Sequence, residues 1–344
     1  DERRGRSRTR SRGRRGRSRS SSSSSASSCS SVRAAADRPP ARGRALEEAD
    51  VRLLRAAARY RPLARCLERF DHLRKRPRRH RKAQRWLEQL IFRLEVPPGL
   101  TGRPSAVRFV ALSDTHREHG VVDLPPGEVL LFVGDAVGNY GRNYDLAEHF
   151  DKFLAWLAVQ SARYAKVFFI AGNHETLLDD QQGDASVGLS MLEKFLKAAP
   201  NCTYLNNEAA EYRGLRMWAS PVTVSRLENE GKRYYSRAFE RFSEQRARLW
   251  AEVPEGLDLL MTHCPPWGPL CSKDVGDPRL AERLAQMKAP PKVHVFGHDH
   301  CFLGVRSDGR TISLNVAQDE SLRVDPHGGG CALFFDLEPP NGSA

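Results

Sequence analysis

Five short apolar runs in this chain stop on acids, amides and imidazoles, and that repeated ending is the strongest constraint on its fold. Val167 to Ala171 is followed by Gly172-Asn173-His174-Glu175, and Leu112 by Ser113-Asp114-Thr115-His116. Val133 runs into Gly134-Asp135, Met261 into Thr262-His263, and Phe296 into Gly297-His298-Asp299-His300. Compact apolar runs bounded by glycine and polar residues read as buried strands. In open α/β sheets the ends of such strands are the usual ligand edge. One such ending carries little, because an Asp there commonly caps a helix and a lone His is commonly a hydrogen-bonded packing residue. Asp-x-His and His-x-His pairs on an extended backbone, however, send two side chains the same way. Five endings in series point to one shared site.

The intervening pattern is strand and helix in alternation. Strands are expected at Val107 to Leu112, Val129 to Val133 and Val167 to Ala171, with short ones near Thr203, Glu208 and Leu215. Further strands are expected at Leu257 to Met261, Val293 to Phe296, Thr311 to Leu314 and Cys331 to Phe335. Helices are expected at Asp145 to Gln160, about Leu189 to Ala198, and near Ser236 to Trp250; Pro265 to Asp277 reads as a long loop. Residues 104–338 therefore form a layered α/β domain with a mixed sheet.

Charge separates this domain from what precedes it. Residues 1–103 hold 30 of the 55 Lys and Arg but only 10 of the 42 Asp and Glu, which leaves the remainder acidic. Residues 1–45 read as a disordered Arg/Ser-rich leader and 46–103 as a basic helical segment, with 339–344 a flexible tail. Any nucleic-acid contact is expected through the basic leader alone. No apolar run approaches a bilayer span. Seven scattered cysteines, odd in number and without a Cys-x-x-Cys pair, read as reduced thiols in an intracellular compartment, cytoplasmic in preference to nuclear or organellar. The first methionine is Met191, so the sequence reads as a fragment, a processed product or a conceptual translation.

Asp114, His116, Asp135, Asn173, His263, His298 and His300 combine hard oxygens with imidazoles and lack an evident thiolate, a set suited to Mn, Fe, Zn or Mg. Seven ligands exceed the needs of one centre with an open position. Two divalent ions are expected.

The motif series resembles that of the calcineurin-like metallophosphoesterases over residues 105–336. The resemblance implies a four-layer α-β-β-α sandwich with the dinuclear site at the sheet edge. It assigns Asp114, His116 and His300 to one ion, Asn173, His263 and His298 to the other, and Asp135 to both. It also implies hydrolysis by a hydroxide held between the ions, with His174 contacting the phosphate and assisting the leaving oxygen; Asp135 and His174 are thus the expected catalytic pair. Trp218-Ala219-Ser220-Pro221, Thr262-His263-Cys264-Pro265-Pro266 and Asn315-Val316-Ala317 are similar to the metallophosphoesterase domain-containing branch, grouped with class III phosphodiesterases. Small phosphodiesters such as cyclic nucleotides are the substrates this implies, with a nuclease or a weakly catalytic metal-binding scaffold as alternatives. Gly134-Asp135 is not followed by the Asp-Arg-Gly of protein phosphatases, and Cys264 stands where the branch commonly has Gly. Arg117, His119, Asn139, Arg142 and Trp267 lie in loops beside the ligand positions. Of these, Arg142 is a candidate to hold a phosphate oxygen and Trp267 to stack on a base, with Asn173 and His174 also facing substrate.

Overall fold

The computed structural model describes residues 106–340, except 123, 139–144, 183, 226–236, 269, 273–274 and 320–331. The expected leader, the basic helical segment, Asn139, Arg142, Cys331 and residues 341–344 lie outside the described residues.

Two mixed sheets form the centre of the molecule. The first has the order β13-β1-β2-β3-β4, built from β1 (Val107–Leu112), β2 (Val129–Val133), β3 (Lys166–Ile170), β4 (Cys202–Tyr204) and β13 (Leu333–Leu337). Strands β1 to β4 are parallel, and β13 closes one edge antiparallel to β1. The second has the order β11-β12-β10-β9-β6-β5, from β5 (Glu208–Tyr212), β6 (Leu215–Ser220), β9 (Leu259–Thr262), β10 (Val293–Phe296), β11 (Gly304–Ser307) and β12 (Ile312–Asn315). Its four inner strands are parallel, and β5 and β11 run antiparallel at the two edges. A two-stranded ribbon, β7 (Thr223–Val224) with β8 (Glu240–Arg241), stands apart.

The strand period of two decides the layers. In β3, Phe168 faces Tyr212 of the second sheet at a ring separation of 6.5 Å, while its neighbour Phe169 faces outward to Phe153 at 6.3 Å and Phe195 at 6.1 Å. Those two rings belong to α1 (Leu146–Ser161) and α2 (Ser186–Ala198), which cover the first sheet. Asp145 starts α1 by accepting a hydrogen bond from Glu148 N at 2.9 Å. On the far side Trp218 of β6 and Leu260 of β9 turn outward to Trp250 and Leu280, carried by α3 (Ser243–Glu252) and α4 (Pro278–Gln286). Met217, Ala219 and Met261, one residue out of phase, join the core between the sheets. Helix, sheet, sheet, helix is the four-layer sandwich that the resemblance implies.

Two expectations need correction. The helix placed from Ser236 begins at Ser243, because Phe239 adopts a left-handed φ of 53° and Glu240–Arg241 pair with β7 instead. Helix α4 was not expected, although Asp277 and Pro278 form a start signal: the Asp277 side chain accepts from Arg279 N at 2.9 Å, and Pro278 has no N–H to leave unpaired. Buried Asp277 also accepts from Trp250 Nε1 at 2.6 Å and pairs with buried Arg246 at 3.1 Å, so it joins α3 to α4.

Candidate metal centre

Every expected ligand emerges from the carboxyl end of a parallel strand: Asp114 and His116 after β1, Asp135 after β2, Asn173 after β3, His263 after β9, and His298 and His300 after β10. The first sheet contributes four of these side chains and the second three. Facing edges bring them into two clusters. Ligand atoms of Asp114, His116, Asp135 and His300 all lie within 4.8 Å of one another, as do those of Asp135, His263 and His298. Asn173 joins the second, with Oδ1 3.2 Å from His263 Nε2. Asp135 belongs to both.

The hydrogen bonds behind these side chains show which atoms are left facing inward. His116 Nδ1 is 3.0 Å from Val137 O and His263 Nδ1 is 2.7 Å from Val133 O. A carbonyl only accepts, so each Nδ1 carries a proton and each Nε2 is the nitrogen turned toward the neighbouring ligands. His300 Nδ1 lies 2.9 Å from Asp319 Oδ2, which orients its ring likewise. Asp114 uses Oδ2 to accept from Ser113 Oγ at 2.5 Å and His298 N at 2.9 Å. Its buried Oδ1 has no hydrogen-bond partner and stands 3.2 Å from His300 Nε2, which is itself 3.2 Å from His116 Nε2. Against its burial, the Asp114 and Asp319 carboxylates push the His300 imidazole well up, so oxygens and nitrogens that converge in this way call for positive charge among them, whether protons or a metal cation. The residues fit divalent ions of the hard or borderline kind.

Electrostatics point the same way. Burial would raise the Asp135 carboxyl, but the imidazoles of His263 and His174 hold it well below the usual range. Burial opposes charge on His263, yet Asp135 beside it at 3.3 Å pushes the imidazole up to about 9. Buried carboxylates here demand positive charge.

The backbone is bent to make this arrangement. Asp114, His116, Asp135 and His298 all have positive φ, between 43° and 66°. Non-glycine residues in that region cost roughly 1–3 kcal/mol each and persist where surrounding contacts enforce them. Gly172 is required for space, since a Cβ there would meet Asp135 Oδ1 at 2.3 Å, and at Gly297 one would meet Asp114 Oδ2 at 2.3 Å. Glu175 supplies the enforcement: its carboxylate accepts from Gly172 N at 2.5 Å and from Asp135 N and Val137 N, both at 3.0 Å. Burial, then the charge of Asp135, raises this carboxyl to about 7.

His174 lies beside the clusters with Nε2 3.8 Å from Asp135 Oδ2 and its ring 4.7 Å from that of His116. Trp267, on the loop after His263, is 54% exposed. His119 is not part of the site: it is buried against Phe153 and Trp156, and burial lowers it to about 4. Cys264 is a fully buried packing residue whose thiol burial pushes well up. Cys301 is disulfide-bonded, which corrects the reading of seven reduced thiols and removes the compartment inference drawn from it. Sequence spacing does not reveal which Cα atoms approach within bridging distance. Cys202, Cys264 and Cys271 are free. Sequence reading also missed Ser113, Asp319 and Arg237, since a single Ser, Asp or Arg in a loop carries no periodic signal.

The family model of the calcineurin-like phosphoesterases matches residues 107–302, from β1 through the last histidine of the centre. The chain belongs to this family. The human metallophosphoesterase domain-containing protein 1 is 33% identical over 242 residues, 64% of this chain and 67% of that protein. A UPF0046 protein of Caenorhabditis elegans is 33% identical over 258 residues, 69% of this chain and 83% of its own length. These relatives place this phosphoesterase in the metallophosphoesterase domain-containing branch. Among its described residues no helix is long and apolar enough to cross a membrane.

Proposed function

We propose that this calcineurin-like phosphoesterase is a dinuclear, metal-dependent hydrolase of small phosphodiesters, cyclic nucleotides included. The observation that carries the reading is the pair of ligand clusters sharing Asp135. Asp114, His116 and His300 would hold one ion, Asn173, His263 and His298 the other, with Asp135 between them. Bound there, such ions neutralise charge on phosphoryl oxygens and acidify a water at neutral pH.

The remaining work falls to this chain's own side chains. His174 faces the same space as the ligands and is the residue to meet the leaving oxygen. Burial holds its imidazole down to about 3, against the pull of Asp135. A phosphoryl anion pressed on the ring favours the protonated form. Trp267, exposed on the adjoining loop, offers a flat apolar face for a nucleobase or an aryl leaving group. Glu175 keeps the Asp135 and Gly172 turns in register and contacts no substrate.

The test is hydrolysis by metal-reconstituted protein across bis(4-nitrophenyl) phosphate, cyclic nucleotides, monoesters and single-stranded oligonucleotides. Metal-dependent turnover of the small diesters is expected. Turnover of monoesters alone would defeat the diester reading, and cleavage of oligonucleotides alone would replace it with a nuclease. Stoichiometric metal without hydrolysis of any ester would make the protein a metal-binding scaffold.

A further inference from the structure

Two arginines that follow Arg237 in the chain are matched to acids, and Arg237 is not. Arg241 forks onto Asp179, with nitrogen–oxygen distances of 3.1 and 3.0 Å, and Arg246 pairs with Asp277. Arg237, four residues before Arg241, has no carboxylate partner for its guanidinium among the described residues. Its Nη1 lies instead 2.5 Å from Nε2 and 3.1 Å from Nδ1 of His174. The placement is enforced by the backbone around it: Ala238 N donates to Asn173 O at 3.1 Å, and Phe239 N donates to Asp179 Oδ2 at 2.5 Å. Arg237 N in turn donates to Glu240 Oε2 at 3.2 Å.

A guanidinium keeps its charge under all ordinary conditions. Holding one against an imidazole, beside clusters shaped for divalent cations, is unfavourable until an anion shares the space. Its planar set of donors matches phosphoryl oxygens, and Nη1 alone is engaged by His174. We propose that Arg237 is a substrate-binding residue that holds a non-bridging phosphoryl oxygen on the His174 side of the centre. This rests on the dinuclear phosphoesterase reading, and it adds a cation from the segment just before β8 to a site otherwise built by strand ends.

Inorganic phosphate binding to the metal-reconstituted full chain, followed by calorimetry, tests it without any turnover. Arg237→Ala should weaken phosphate roughly ten- to hundredfold at unchanged metal content, and Arg237→Lys should recover part of the loss. Arg237→Met keeps the packing of the stem and replaces the alanine variant should that one fail to fold. The same loss should appear in a His174→Ala background, because the contact is direct. Unchanged phosphate affinity in Arg237→Ala overturns the proposal, as does a loss that vanishes once His174 is gone. Arg237-dependent phosphate binding in a protein that hydrolyses no ester would leave the anion site standing and defeat only the hydrolase reading.

Discussion

The two halves of the centre are assembled by the same device and differ in charge. On the β1 side stand a carboxylate and two imidazoles, Asp114, His116 and His300, with a second carboxylate, Asp319, 2.9 Å behind His300. The β9 side has an amide and two imidazoles, Asn173, His263 and His298, and behind His263 only the neutral carbonyl of Val133 at 2.7 Å. Asp135 is common to both. A cation on the β1 side therefore meets one more full negative charge among its ligands and a further one just beyond. Within a buried site that difference is worth far more than in water. The β1 half should retain its ion when the β9 half has released its own.

Removing the shared ligand should have the largest effect. Asp135→Asn is expected to weaken both ions and lower hydrolysis by about a thousandfold or more, with far-UV circular dichroism unchanged. Metal analysis after dialysis checks it, and a fully loaded, fully active variant would contradict the sharing. Asp114→Asn should shrink the asymmetry instead: the two halves would then release metal over closer ranges of chelator concentration, with only Asp319 still favouring the β1 side. Asp319→Asn reaches only the β1 half and should weaken that ion roughly ten- to hundredfold, the usual result of removing a carboxylate behind a metal-binding imidazole.

The smallest effect lies outside the centre and serves as its control. His119, lowered by burial from 6.5 to about 4, stays neutral in the folded protein while the unfolded chain takes up a proton. Stability from this group is thus complete above pH 6.5 and is lost as pH falls toward 4, by at most about 3 kcal/mol. His119→Phe, which keeps an aromatic ring against Phe153 and Trp156, should flatten that limb of the pH–stability curve in chemical denaturation and leave metal retention alone. A change in metal content would show that the loop holding His119 bears on the ligands after all.

The contrast between halves also marks how far the sequence was legible. Strand runs such as Val129–Val133 could be read because buried strands in stacked sheets must be apolar on both faces, and their polar endings then stood out. The ligands could be read because metal chemistry confines them to few residue types. What lay behind the ligands could not. Asp319 reaches His300 through a contact that follows from the packed turns, not from spacing. Arg237 comes to His174 across 63 residues, from an irregular segment before the two-residue strand β8, where no period is left to read. Arg142, chosen for its place beside Gly134-Asp135, lies outside the described residues. The disulfide at Cys301 was invisible for the same reason as Arg237: proximity in space without a local pattern.

The most direct test of the shared two-ion centre is a Mn(II) titration of metal-free protein in which bound metal and diester hydrolysis are measured on the same samples. Two ions per chain are predicted, the first tight and nearly silent and the second weaker, with hydrolysis rising as it binds. Full activity at one ion per chain, or hydrolysis that persists after chelation, would contradict the account.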